Sequence, residues 1–146
     1  MSLFKSKAIS TVAITAAMLL TNLKSGMANT EFGNAFSNPG DRTIEGLSGG
    51  SIDSQGCGYI ANIPSYEMNL ATKIDYLRFT VEAAAGQPTL LVVGPNPSDS
   101  FCVLGDETSG LKPEISGVWE PGNYQIYVGN RTSEQHKFIL DISTDD

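Results

Sequence analysis

The chain has 146 residues, 16 of them acidic and 9 basic, for a formal charge of −7, with 40% hydrophobic residues and two cysteines. This acidic balance excludes nucleic-acid and anionic-membrane partners, since both demand clustered Lys and Arg. The length suits one ordinary domain with a small but real hydrophobic core.

Residues 1–28, MSLFKSKAISTVAITAAMLLTNLKSGMA, have the layout of a secretory signal peptide. Lys5 and Lys7 form a basic start, Ala8 to Leu20 a weakly apolar run of 13 residues, and Gly26-Met27-Ala28 supplies small residues before a cut. A membrane anchor needs about 20 apolar residues, so the run is too short to span a bilayer. No cysteine lies near the cut, which argues against a lipoprotein anchor. Cleavage after Ala28 leaves 118 residues with six basic against sixteen acidic side chains, a charge of −10. The expected location is secreted or periplasmic, with no membrane contact after cleavage.

Residues 29–42, NTEFGNAFSNPGDR, show no periodicity and read as a flexible leader, tacked down by Phe32 or Phe36. One domain then fills 43–146. Short strands are predicted at Thr43–Leu47, Gly58–Ala61 and Tyr66–Ala71. In 74–82, Leu77, Phe79 and Val81 alternate with Arg78, Thr80 and Glu82, the period of a half-buried strand. TLLVVG (89–94) is continuously apolar, as for a strand covered on both faces. Phe101–Leu104 and Ile115–Trp119 are further strand candidates. Tyr124, Ile126 and Val128 share one face of 122–130, and Phe138, Leu140 and Ile142 one face of 136–143.

Between these runs, SGGS (48–51), GQP (86–88), GPNP (94–97), EPGN (120–123) and GNRTSE (129–134) carry the Gly, Pro and Asn that turns require. Only VEAAAG (81–86) could begin a helix, and it is too short to persist. Eight or nine short strands imply an all-β, antiparallel, jelly-roll-like sandwich. The nine alternating residues of 74–82, 122–130 and 136–143 are its expected core. Trp119 is placed as a core plug at the end of the sandwich, with a ligand anchor as the alternative.

Cys57 and Cys102 both lie in the exported part, where an isolated pair forms one disulfide. Two cysteines so far apart, with no histidine beside them, do not make a zinc site. On the chain-entropy model the bridge stabilises by roughly 4 kcal/mol.

The order of these features resembles a known family. A Cys-Gly-Tyr-Ile strand (57–60) precedes the alternating strand 74–82, then TLLVVGP (89–95), Phe101-Cys102 and a Trp119-Glu120-Pro121-Gly122 turn. That turn leads into Tyr124-Gln125-Ile126-Tyr127-Val128-Gly129 and a closing strand. Together they resemble the bacterial pre-peptidase C-terminal domain over roughly residues 43–143. The resemblance implies a secreted, non-catalytic β-sandwich that aids secretion or binds substrates and surfaces, in some members with calcium. Related sandwiches follow the second cysteine with an aspartate run, whereas here Val103, Leu104 and Gly105 come before Asp106 and Glu107.

Catalytic constellations are missing from the sequence. His136 is the single histidine, and no GxSxG elbow, HExxH or phosphate loop is present. No enzyme activity is therefore expected. Tyr76, Arg78, Gln125 and Tyr127 fall on the solvent-facing sides of their strands. They form either a platform for a glycan or peptide or ordinary cross-strand cover. Asp99, Asp106 and Glu107 are the metal candidates. With two or three carboxylates they make a weak calcium site or, as expected, a solvated acidic turn. The sequon Asn130-Arg131-Thr132 is placed in a surface turn and is not expected to carry a glycan in a bacterial protein. The functional expectation is a non-catalytic binding or interaction module for an unidentified protein or glycan. The alternative is a small structural or inhibitory protein covering an exported protein such as a protease.

Overall fold

A computed structural model describes residues 39–145. The predicted signal peptide and most of the predicted leader, Phe32 and Phe36 included, lie outside the described residues. Ten strands follow: β1 (Arg42–Leu47), β2 (Ile52–Asp53), β3 (Tyr59–Ile60), β4 (Tyr66–Leu70), β5 (Ile74–Ala83), β6 (Pro88–Val93), β7 (Phe101–Leu104), β8 (Glu114–Trp119), β9 (Gly122–Asn130) and β10 (Lys137–Ser143).

Two antiparallel sheets form a sandwich. One has four strands in the order β1-β10-β5-β8; the other has six, β2-β3-β9-β6-β7 with β4 also on β9. β4 and β3 occupy the same side of β9 in succession, at Gly122–Ile126 and at Asn130. Without the β2–β3 hairpin, four strands β1-β10-β5-β8 face four strands β4-β9-β6-β7, which is the strand order of a jelly roll. The expected sandwich is therefore present, with ten strands rather than eight or nine. The extra strand is β2, two residues that pair only with Ile60 and Tyr59 and show no alternation to read.

Jelly-roll order explains what the turns do. β8 and β9 belong to different sheets, so EPGN carries the chain across the sandwich instead of closing a hairpin. GQP does the same between β5 and β6. The β6–β7 connection stays within one sheet and contains a 3-10 turn, Pro97–Asp99.

The nine expected core residues are all buried, Leu77, Phe79, Val81, Ile126 and Leu140 completely. Inward faces from both sheets must cover each other, and here they do. Trp119 plugs the core as expected. Its ring lies 5.1 Å from Phe79 and 5.1 Å from Tyr124, and its indole N–H donates to the Leu77 carbonyl at 3.1 Å. That bond satisfies the one polar atom that would otherwise be costly to bury. In β6, Leu90 and Val92 are fully buried while Leu91 and Val93 are half-buried, so the second face is only partly covered.

The end of the predicted leader is docked rather than flexible. Arg42 already belongs to β1, and Pro39 is fully buried. The Asp41 carboxylate accepts from the Thr144 backbone N–H at 2.9 Å, tying the two ends of the domain together.

Candidate functional site

Cys57 and Cys102 form a disulfide with their Cα atoms 5.7 Å apart. Cys57 lies in the loop before β3, not within a strand, and Cys102 lies on β7 opposite Leu91. Leu91 and Thr89 belong to the outward row of β6, since Leu90 and Val92 fill the core. Thr89 is nevertheless fully buried, and its hydroxyl donates to the Cys57 carbonyl at 2.7 Å. The bridge thus straps the β2–β3 hairpin across the outer face of β6, which walls off one end of the six-stranded sheet.

Among the described residues the remainder of that face is open. Strand alternation puts Asn123, Gln125 and Tyr127 of β9 outward, because Tyr124, Ile126 and Val128 point into the core. Glu67 and Asn69 of β4 stand opposite Gln125 and Asn123, and Val93 of β6 stands on the other side of Gln125. These side chains are linked in a ladder. Asn69 Nδ2 donates to Asn123 Oδ1. Gln125 Nε2 donates to Glu67 Oε1 at 3.3 Å, and the Tyr127 hydroxyl donates to Gln125 Oε1 at 3.4 Å.

Gly94 and Pro95 form the far wall of a groove of about 480 Å³ over this ladder. Glycine is required at two points of that wall. A Cβ on Gly94 would lie 2.3 Å from the Asp99 carbonyl oxygen, and one on Gly122 (φ +146°) 2.6 Å from Pro95 Cγ. Beneath the groove, the Tyr124 hydroxyl donates to the Glu120 carbonyl at 2.9 Å. Burial, and then the negative charge of Asp99, push its phenol above its ordinary pKa.

Tyr76 and Arg78 lie elsewhere. β5 belongs to the four-stranded sheet, so these two sit on the opposite outer face of the sandwich from Gln125 and Tyr127. The four cannot form one platform. Arg78 lies between Ser116 of β8 and Ser143 of β10. The same face carries Thr43 donating to Asp141 at 2.8 Å, Thr80 to Glu114 at 3.2 Å, and a Lys112–Glu82 ion pair. Its polar groups are largely spent on each other, as ordinary cross-strand pairs. A hollow of about 610 Å³ at the end of that sheet is lined by Leu47, Phe138 and Ile139, with Glu45, Glu82 and Lys137 at its margin. Asn69, Asn123 and Glu67, by contrast, carry no alternation signal beyond their neighbours. Only the β4–β9 register reveals them as partners of Gln125.

The acidic candidates are also separated. Asp99 lies before β7 and accepts from Asn96 Nδ2 at 2.6 Å, whereas Asp106 and Glu107 follow β7 at its other end. In GDETSG, Asp106 Oδ1 accepts from the Thr108 hydroxyl at 2.7 Å and from the Ser109 N–H at 2.8 Å. Those bonds, the Thr108 hydroxyl first, hold its carboxyl below the ordinary value. The turn's bonds are therefore complete at neutral pH and open only as acid passes that lowered value. The loop is a self-bonded acidic turn, and among the described residues no group of three or more His, Cys, Asp or Glu is placed to hold a metal. Calcium at about 1 mM is expected to add about 0.1 kcal/mol or less, a melting shift below roughly 1 °C. A calcium-specific rise of several degrees, absent with magnesium and lost in Asp106→Asn, would show that the turn reorganises around the ion.

Asn130 departs from its expected place. It is buried, not in a surface turn: its Oδ1 accepts from the Gln87 N–H at 2.8 Å and its Nδ2 donates to Thr132 Oγ1 at 2.9 Å. Its side chain is a fastener between two loops, so the sequon is closed to modification in the folded chain. His136 packs on Gly86, where a Cβ would meet its ring at 2.6 Å, and its Nε2 has no hydrogen-bond partner among the described residues. Among those residues no nucleophilic side chain is bonded to that ring.

No protein-family model matches the chain. The solved pre-peptidase C-terminal domain of a collagenase from Bacillus anthracis superposes with a TM-score of 0.51 at 17% identity. The match covers 71% of this chain and 90% of that domain, which shows a shared fold. An uncharacterized protein of Synechococcus elongatus is 42% identical over 104 residues, covering 68% of this chain and 73% of that protein. With strand order, core and disulfide on a pre-peptidase C-terminal-like sandwich, the chain belongs to the family of that Synechococcus elongatus protein.

Proposed function

We propose that the protein is an exported, non-catalytic binding module whose ligand surface is the outer face of the six-stranded sheet. The groove over Glu67, Asn69, Asn123 and Gln125 carries this reading, because it gathers polar side chains from β9 and the edge strand β4 beside the wall formed by Gly94 and Pro95. Export is supported by the signal-like residues 1–28 and by the disulfide, which belongs to an oxidising compartment. A binding rather than catalytic role is supported by His136, whose ring is bonded to no nucleophilic side chain among the described residues and whose neighbouring Ser48 hydroxyl accepts from the His136 backbone N–H at 3.3 Å. It also agrees with the likeness to a domain that stands beside a peptidase in the collagenase.

Expressed in a Gram-negative host, the full chain should leave the cytoplasm, begin at Asn29 and show no titratable thiol. Immobilised on beads, it should retain material from culture supernatant that a Gln125→Ala form releases. An uncleaved cytoplasmic product with two free thiols would overturn export. Equal retention by both forms would overturn the groove as the binding surface.

A further inference from the structure

We infer that the groove binds a neutral polysaccharide. The inference rests on the binding reading above and names the chemistry of its ligand. β9 is paired on both sides, with β4 and with β6, so its backbone N–H and C=O groups are consumed by the sheet. A peptide cannot add itself to β9 as a strand, and the free edge of β4 lies in the plane of the sheet, beside the ladder and not over it. Recognition over the ladder has to come from side chains.

Those side chains are two asparagines, a glutamine and a glutamate. Each carboxamide offers donors and an acceptor together, which matches hydroxyl groups that are both donor and acceptor. After the internal ladder is made, Asn69 Oδ1, Asn123 Nδ2 and Glu67 Oε2 have no partner among the described residues. The two cross-strand rows lie two residues apart along β9, about 7 Å, a span that one sugar ring bridges.

Charge narrows the class. Glu67 is the single charged side chain lining the groove, with no Lys or Arg to hold a polyanion, and the chain's net charge of −7 repels one. Flat rings flank the ladder, Pro95 in the groove wall and Tyr127 beyond Gln125 on the same outward row of β9. The Tyr127 ring is directed by its hydroxyl bond to Gln125, and the Pro95 ring lies on Gly122. Such rings stack on the C–H faces of sugars while the amides take the hydroxyls. The wall is already in place, so little ordering entropy opposes binding.

The test is depletion of the oxidised protein by insoluble cellulose, chitin and starch, with gelatin as the polypeptide and alginate as the polyanion. Wild type should be retained by at least one neutral polysaccharide and not by gelatin or alginate. The Asn123→Ala/Gln125→Ala form should bind it about tenfold more weakly. Arg78→Ala, on the opposite face, should bind as wild type. An unchanged melting temperature in each variant shows that the fold is intact. Retention by gelatin alone, lost in the groove variant, would overturn the polysaccharide and leave the binding module standing. Retention by a neutral polysaccharide that the groove variant does not weaken would overturn the site. No retention on any matrix would overturn both readings.

Discussion

Truncating Phe79 to alanine is expected to cost about 3–5 kcal/mol, the range for removing a buried aromatic ring and leaving a cavity. Phe79 is fully buried at the centre of β5, with Ile142 of β10 and Ile115 of β8 as its cross-strand partners. Its ring also supports Trp119, which in turn meets Tyr124 from the other sheet. The cavity would therefore open between the two layers, where neighbours from both sheets are held by their backbone ladders and cannot collapse inward. For a domain whose whole stability is about 5–15 kcal/mol, this is roughly a fifth or more of the total. Urea unfolding should show a midpoint lowered by roughly 3 M, or no folded protein at all. Phe79→Leu, which refills most of the volume, should recover a folded chain. A loss below about 1 kcal/mol in Phe79→Ala would mean that the two sheets do not close on this ring.

Removing the disulfide through Cys57→Ala/Cys102→Ala is expected to cost about 4 kcal/mol, the chain-entropy value for a loop of this length. The sequence separation is 45 residues, so the bridge restrains a long stretch of the unfolded chain. The folded state loses something too. The β2–β3 hairpin is joined to β9 at a single register pair, Tyr59 with Asn130, and without the strap it rests on the Thr89 hydrogen bond and on the contacts of Tyr59 and Ile60 with Gly129 and Asn130. A melting temperature lower by roughly 20 °C is expected in a thermal scan. Thr89 and Gly129 should lose hydrogen-exchange protection before the core does. A double variant that melts within a few degrees of wild type would show that the hairpin holds its place unaided.

Much of the architecture is legible in the amino-acid sequence. In β5, β9 and β10, long strands alternate cleanly, and the nine residues that alternation turns inward are all buried. Alternation is a property of a single strand: a pleat that buries one residue exposes the next, whatever strand lies beside it. The disulfide is legible for a similar reason, since two cysteines in an oxidised chain leave one pairing. β2 is not legible, because two residues carry no period and the hairpin is held by its strap.

The candidate site shows where local reading stops. Outward positions on β5 and β9 are distinguishable from inward ones by period alone. Which sheet each strand joins depends on pairing between residues distant in sequence, and this puts Tyr76 and Arg78 on one outer face and Gln125 and Tyr127 on the other. The same pairing brings Glu67 and Asn69, more than fifty residues away, beside Gln125 and Asn123. Asn130 has the sequence context of any turn asparagine, yet the loops that meet there bury it and use every polar atom of its amide. Composition and period thus settle which residues are inside, because burial answers to hydrophobicity along one strand. The ligand surface is a matter of register between strands, and register is set by how the two sheets close on each other.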